Sequence, residues 1–155
     1  AAAIQTILEI GNPVEFDETI ADAFPGGKIM VTSTDGYFEL EMKQHGLLRP
    51  LKISELSDGT LRYLLLVAAL LSPRPPELMI LNEPETSLHP DLVLPLSRLI
   101  ARAAKRSQII VVSHARGLVS ALEHEDDSRQ ILLEKELSET IVRNSDLPSW
   151  VWPSR

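Results

Sequence analysis

The sequence predicts an α/β fold, a layer of parallel strands with flanking helices, preceded by a small and mostly antiparallel β region. Three observations carry this expectation. From residue 57 onward, helix-like and strand-like segments alternate, the pattern of a layered α/β domain. Two short continuous apolar runs, Leu78 to Leu81 and Ile109 to Val112, have the character of strands inside a parallel sheet. Ahead of them, residues 28–53 hold short segments separated by glycine- and proline-bearing turns, as hairpins do.

Taken in order, Ile4 to Ile10 is a short apolar stretch that breaks at Gly11-Asn12-Pro13, and an acidic stretch follows to Phe24. Pro25-Gly26-Gly27 marks a turn. Lys28 to Ser33 and Tyr37 to Lys43 read as strands joined through Thr34-Asp35-Gly36, with Leu47 to Ile53 returning as a third strand. Ser57 or Asp58 supplies a cap for a helix from about Thr60 to Leu71, since either side chain can accept from an unpaired N–H of the first turn. That helix is apolar nearly all round and is expected to be buried. Ser72-Pro73-Arg74-Pro75-Pro76 ends it, and the Leu78–Leu81 strand follows. A second helix is expected from near Pro90 to about Lys105, with Pro95 uncomfortable inside it. Ile109–Val112 is the next strand, Ala115 to Leu122 a third helix, and Arg129–Glu134 with Glu139–Arg143 a closing hairpin. The expected organisation is a single domain over 1–155: an antiparallel lead-in over 1–55, an α/β lobe over 56–143 and an irregular tail over 144–155. Trp150 and Trp152 in that tail either pack back on the domain or mark a contact surface.

Composition narrows the function classes. The 155 residues are 44% hydrophobic and 24% charged, which excludes disorder as a description of the whole chain. Without cysteine there is no disulfide framework, thiolate metal site or thiol nucleophile. The longest apolar run, Leu64 to Leu71, is far short of the ~20 residues of a membrane span, and the N-terminus lacks a signal-peptide pattern; a cytoplasmic location is expected. The net charge of −7 is concentrated in front, residues 1–50 carrying −5 of it. That balance gives no basic footprint for DNA.

Three loops sit where α/β folds place chemistry, at strand C-terminal ends and helix starts. Leu56-Ser57-Asp58-Gly59-Thr60 offers hydroxyls, a glycine and free N–H groups at a helix N-terminus, an anion-binding arrangement that also serves as a simple cap. Leu78-Met79-Ile80-Leu81-Asn82-Glu83 delivers an amide and then a carboxylate at a strand end, suited to a magnesium shell and a general base. Ile109 to Val112 leads into Ser113-His114, which places an imidazole within reach of a phosphate oxygen. No His-Glu-x-x-His metal spacing and no G-x-S-x-G elbow occurs.

In order and spacing, about 25 residues between the first two loops and about 31 to the third, these motifs resemble the C-terminal half of an ABC-type ATPase head. The likeness is to predicted ATPases related to the SMC, RecF and overcoming-lysogenization-defect groups of P-loop NTPases. It covers roughly residues 50–120. Residues 56–60 match the signature motif, 78–83 Walker B, Glu85 to His89 the D-loop, and His114 the switch histidine. Glu85-Thr86-Ser87-Leu88-His89-Pro90 is particularly like the RecF and predicted-ATPase branch.

The resemblance implies ATP and Mg2+ as ligands and a nucleotide-sandwich homodimer of heads. Glu83 would orient and deprotonate water, and His114 would touch the γ-phosphate. Ser57, Asp58, Gly59 and Thr60 would face the nucleotide held by the opposite head, with His89 near the seam and Asn82 on the metal shell. Two departures stand out. Asn82 occupies the Walker B aspartate position, which opens a second reading, a weak or non-hydrolysing ATP-gated interaction module, with DNA a candidate partner that the charge does not indicate. No G-x-x-x-x-G-K-[ST] appears in the chain, so the Walker A lobe is expected to come from outside these residues, and the chain to be an inactive fragment by itself. The sheet edge left open by that lobe is expected to self-associate. The 41 residues after His114 are too few, and lack the paired acidic strand ends, for an appended Toprim-type nuclease.

Overall fold

The computed structural model describes residues 1–34, 36–125 and 127–143; the Trp-bearing tail and Asp35 of the expected hairpin turn lie outside the described residues. The chain divides into two compact units, 1–122 and 123–155.

The first unit opens with two helices where the sequence suggested no regular element, a correction to the mostly antiparallel front third. α1 spans Ala2–Ile10 and buries Ile4 and Ile7 one turn apart. α2 spans Pro13–Ala23: Asn12 accepts from the Glu15 N–H, Pro13 starts the helix, and Phe16, Thr19 and Ile20 are buried. The Gly-Asn-Pro break is real, but it separates two helices. The antiparallel sheet follows as β1 (Lys28–Thr34), β2 (Tyr37–Lys43) and β3, with Lys28 opposite Lys43. β3 is only Leu51–Lys52, shorter than the strand expected over 47–53, and pairs with β2 through Met42 and Leu51.

The α/β layer begins with α3 (Asp58–Leu70), capped by Ser57 Oγ accepting from the Thr60 N–H at 3.1 Å. Such a cap is worth about 1 kcal/mol. α3 buries Tyr63, Leu64, Val67 and Leu70 but leaves Leu65 71% exposed, so it is one-sided and not enclosed as its composition suggested. Tyr63 stands edge-on to Phe24 with ring centroids 5.6 Å apart. Burial pushes its phenol well above the usual range.

β4 (Leu78–Asn82) and β5 (Gln108–Val112) pair in parallel, Leu78 with Gln108 through Asn82 with Val112. Between them a 3-10 turn at Pro90–Leu92 leads into α4 (Val93–Ala104). Pro95 is well tolerated: it is the third residue of α4, where a backbone N–H has no partner within the helix anyway. α4 docks on α2 through a two-pronged ion pair, Arg98 Nε and Nη2 each 2.8 Å from the Asp22 carboxylate. Arg106 Nη2 donates to the Leu70 carbonyl at the end of α3, and Ser107 Oγ to the Pro76 carbonyl. These contacts fix the chain entering β4 and β5.

The central core joins all these elements through Ile7, Phe16, Met42, Tyr63, Leu96, Leu99 and Leu118, the last on α5 (Arg116–Glu123). Met79, Leu81, Ile109 and Val111 face that core. Their neighbours Leu78, Ile80, Ile110 and Val112 point the other way and are exposed, Ile80 by 64%. The two strands are therefore covered on one face among the described residues, not on both as their continuous apolar runs imply.

In the second unit, β6 (Leu133–Glu136) and β7 (Glu139–Val142) form an antiparallel hairpin closed at Leu137-Ser138, with Arg143 Nε 2.6 Å from Glu134 Oε2. Its first strand starts four residues later than expected. Among the described residues no helix is long and apolar enough to cross a membrane.

Candidate functional site

Parallel pairing of β4 and β5 delivers the two loops that follow them side by side. Asn82 lies opposite Val112 at the end of the ladder, and the Glu83 N–H donates to the Val112 carbonyl at 2.7 Å, adding one more bond beyond it. Glu83 then turns sharply: its φ of 45° is in the left-handed region, uncommon for a residue with a side chain. The turn aims its carboxylate at the β5 exit, where Glu83 Oε1 lies 3.2 Å from His114 Nδ1. The pair is open to solvent, His114 being 79% and Glu83 44% exposed. It adds little stability in that setting and is free to meet a ligand. Thr86 Oγ1 reaches the other carboxylate oxygen at 3.4 Å, and Arg62, one turn into α3, extends Nη2 to within 3.4 Å of the Glu83 carbonyl.

The second cluster is built at the N-terminus of α3. Ser57 Oγ and Thr60 Oγ1 lie 2.9 Å apart, and Asp58 is the first residue of the helix, where a negative side chain suits the helix dipole. Gly59 has a specific packing role. A Cβ there would come within 2.8 Å of the Ser87 carbonyl oxygen, so the first turn of α3 lies directly against residues 87–89. Ser87 itself is left-handed, with φ 67°. His89 caps the 3-10 turn, its Nδ1 accepting from the Asp91 N–H at 3.3 Å. Ser57, Gly59, Thr60 and Ser87 to Asp91 line an open groove of about 640 Å3.

The eight residues singled out from the sequence thus form two clusters. Asn82, Glu83 and His114 stand together at the strand ends, with Glu83 and His114 in direct contact; Ser57, Asp58, Gly59, Thr60 and His89 stand together around the groove. Residues 83–89 run from one cluster to the other. Sequence reasoning gave no individual role to Arg62, Thr86, Glu85 or Ser113, Glu85 and Thr86 entering only as part of the D-loop match. Glu85 and Ser113 were visible as a polar residue inside a tight turn and a serine directly before the histidine.

A metal does not find a full set of ligands in this lobe. Among the described residues no three His, Asp or Glu side chains cluster as a metal would need. Asn82, the last residue of β4, and Glu83 directly after it carry one neutral amide oxygen and one carboxylate, donors of the type that fit one side of a hydrated magnesium ion whose other ligands are phosphate oxygens.

The approach to the α3 N-terminus is held by a separate ion pair. Arg49 grips Glu55 with two prongs, 2.9 and 2.7 Å, and the Lys52 N–H donates to the same carboxylate at 2.9 Å. The Arg49 hydrogen bonds, with help from that N–H, hold the Glu55 carboxyl at about 2, against an ordinary 4.5. Because the folded value is depressed, the clamp is complete above pH 4.5 and is lost as pH falls from there through about 2. Titration of the Glu55 side-chain carbon by NMR is expected to show this low midpoint, and Arg49→Ala to return it towards 4.5; an unchanged midpoint in the variant would remove Arg49 as the cause.

Comparison with known proteins places this arrangement. Residues 10–120 match the family described as "AAA domain, putative AbiEii toxin, Type IV TA system". Among solved structures, an SMC ATPase studied for ATP-driven dimerization and DNA-stimulated activation superposes with a TM-score of 0.67 at 19% identity, over 92% of this chain and 84% of that one. The Smc head domain of Pyrococcus furiosus with an extended coiled coil, bound to the C-terminal domain of ScpA, gives 0.69 at 20% identity, over 90% of this chain and 34% of that one. The SMC head domain from Thermotoga maritima gives 0.63 at 19%, over 92% and 48%. This chain thus spans a third to a half of the latter two. At these identities the likeness establishes the fold, that of the SMC head domains. No curated protein is similar enough to match.

Proposed function

Because this chain belongs to the AAA domain family described as "putative AbiEii toxin, Type IV TA system", we propose that it is the C-terminal lobe of an ATPase head that binds and hydrolyses ATP. A Walker A lobe from outside these residues completes each head, and two heads close on two nucleotides. The observation that carries this reading is the Glu83–His114 pair, a carboxylate and an imidazole 3.2 Å apart at the ends of adjacent parallel strands. On this reading each lobe serves its own nucleotide with the Glu83–His114 cluster and its partner's with the α3 N-terminus.

Glu83 is the general base. Its left-handed backbone and the N–H bond to Val112 hold the carboxylate at the strand end, where it orients a water and takes its proton. His114 donates to a γ-phosphate oxygen, placing a hydrogen bond where charge develops. Ser57 and the free N–H groups of the first turn of α3 face the phosphates of the opposite nucleotide. Magnesium, when bound with ATP, offsets phosphate charge; Asn82 would accept from one of its waters.

Asn82 also favours a second reading, an ATP-gated module with little turnover. It accepts a hydrogen bond as an aspartate would, but without the charge that roughly doubles the strength of such a bond. Magnesium-dependent ATP turnover by the full-length protein, beside Asn82→Asp, separates the two. The expected result is turnover in both, with the aspartate variant faster by no more than about tenfold, equivalent to about 1.4 kcal/mol. Turnover that appears only in the variant establishes the gated module, and none in either removes the ATPase reading.

A further inference from the structure

The loop between the two clusters contains a carboxylate that the mechanism above leaves unused. Glu85 turns its side chain back towards the strands, and Ser113 Oγ donates to its Oε1 at 2.5 Å. Ser113 Oγ in turn accepts from the Ala115 N–H at 3.0 Å, so the hydroxyl is committed on both sides. The other oxygen, Glu85 Oε2, is buried and has no hydrogen-bond partner among the described residues. Such a group costs stability, because it gave up water and gained nothing in return. A loop that needed only to be filled would be better served by an apolar side chain of the same size.

What the arrangement does achieve is registration. Glu83 and Ser113 belong to different loops, and two bonds bracket the reacting pair. The backbone bond from Glu83 to Val112 lies on one side, and the Glu85–Ser113 side-chain bond on the other. His114 follows Ser113 directly, so its distance to Glu83 depends on both. We propose that Glu85 and Ser113 are positioning residues, a carboxylate–hydroxyl latch that sets the separation of the general base and the phosphate-facing histidine. This rests on the roles given to Glu83 and His114 above. The latch does not touch the nucleotide: it acts on the chemical step and leaves nucleotide affinity alone.

The test is steady-state ATP turnover by the full-length protein carrying Ser113→Ala, Glu85→Ala, both together, or Ser113→Thr, each checked for folding by circular dichroism and thermal unfolding. A small misplacement of reacting groups costs up to about 10²-fold in rate. Each alanine variant is therefore expected to lose about 10- to 10²-fold in kcat, with KM within about twofold. The double variant is expected to be no slower than either single one, because the second change breaks a bond already broken. Ser113→Thr keeps the hydroxyl and is expected to restore the rate. Should the unsubstituted protein turn over ATP while the folded alanine variants keep their kcat, or lose it additively, the latch is overturned and the ATPase reading stands. If the threonine variant is as slow as the alanine one, the hydroxyl is not what matters and the latch is likewise overturned. Absence of turnover in the unsubstituted protein overturns the ATPase reading, and the latch falls with it.

Discussion

On the proposed reading, Glu83→Gln in the full-length protein is expected to lower ATP turnover by about 10²- to 10⁴-fold, the usual contribution of a positioned general base, and to leave ATP binding in place. The substitution keeps the side chain's size and its ability to accept a hydrogen bond, so neither the left-handed turn at Glu83 nor the N–H bond to Val112 is disturbed. What it removes, on that reading, is the site that accepts water's proton. With chemistry blocked and both nucleotides held, the heads are expected to accumulate as a closed, ATP-dependent dimer. Turnover by radiolabelled ATP hydrolysis and dimer mass by light scattering check the two halves separately. A variant that still hydrolyses at the original rate takes the base assignment away from Glu83; one that no longer binds ATP shows that the carboxylate serves binding instead.

The 155-residue chain by itself is expected to self-associate at high concentration and to become monomeric when Ile80→Lys and Ile110→Lys are combined. Leu78, Ile80, Ile110 and Val112 form an exposed aliphatic face on β4 and β5. Complete burial of each such side chain contributes about 1.5–3 kcal/mol, and the outer edges of the strand pair are unpaired among the described residues. On the proposed reading, the Walker A lobe covers this face in the complete head; without it, a second copy is the nearest apolar surface. Two lysines on adjacent strands place charge at the middle of the face without touching the core on its other side. Light scattering of the two chains decides the matter: a sharp monomer in the unsubstituted chain, or equal association in the lysine variant, counts against the face as the contact.

The sequence made the α/β layer and its strand-end loops easier to read than the front of the chain. The β4 and β5 runs, the Ser57 cap and the order of the three loops all rest on local chemistry, and each stands close to where it was expected. α2 was hidden by its acids: Glu15, Asp17, Glu18 and Asp22 obscure Phe16, Ile20 and Ala23, whose spacing of four and then three is helical. The exposed face of the strand pair was hidden for the opposite reason, since residues facing outward are as apolar as those facing in. The closing hairpin slipped because its turn uses Leu137 and Ser138 at φ 47° and 72°, positions where glycine or asparagine is the usual signal. The pairing of Glu83 with His114 was implied by family order, whereas the bond between Glu85 and Ser113 joins residues 28 apart and no spacing rule announces it.

The tight seat of Gly59 under the Ser87 carbonyl has a mechanical meaning. With 2.8 Å between that oxygen and where a methyl would be, there is no slack between the start of α3 and the loop that runs back to Glu83. A push on either piece is handed to the other. On the proposed reading of two facing heads, each lobe would act as a lever whose short arm rests on its neighbour's nucleotide and whose long arm ends at its own.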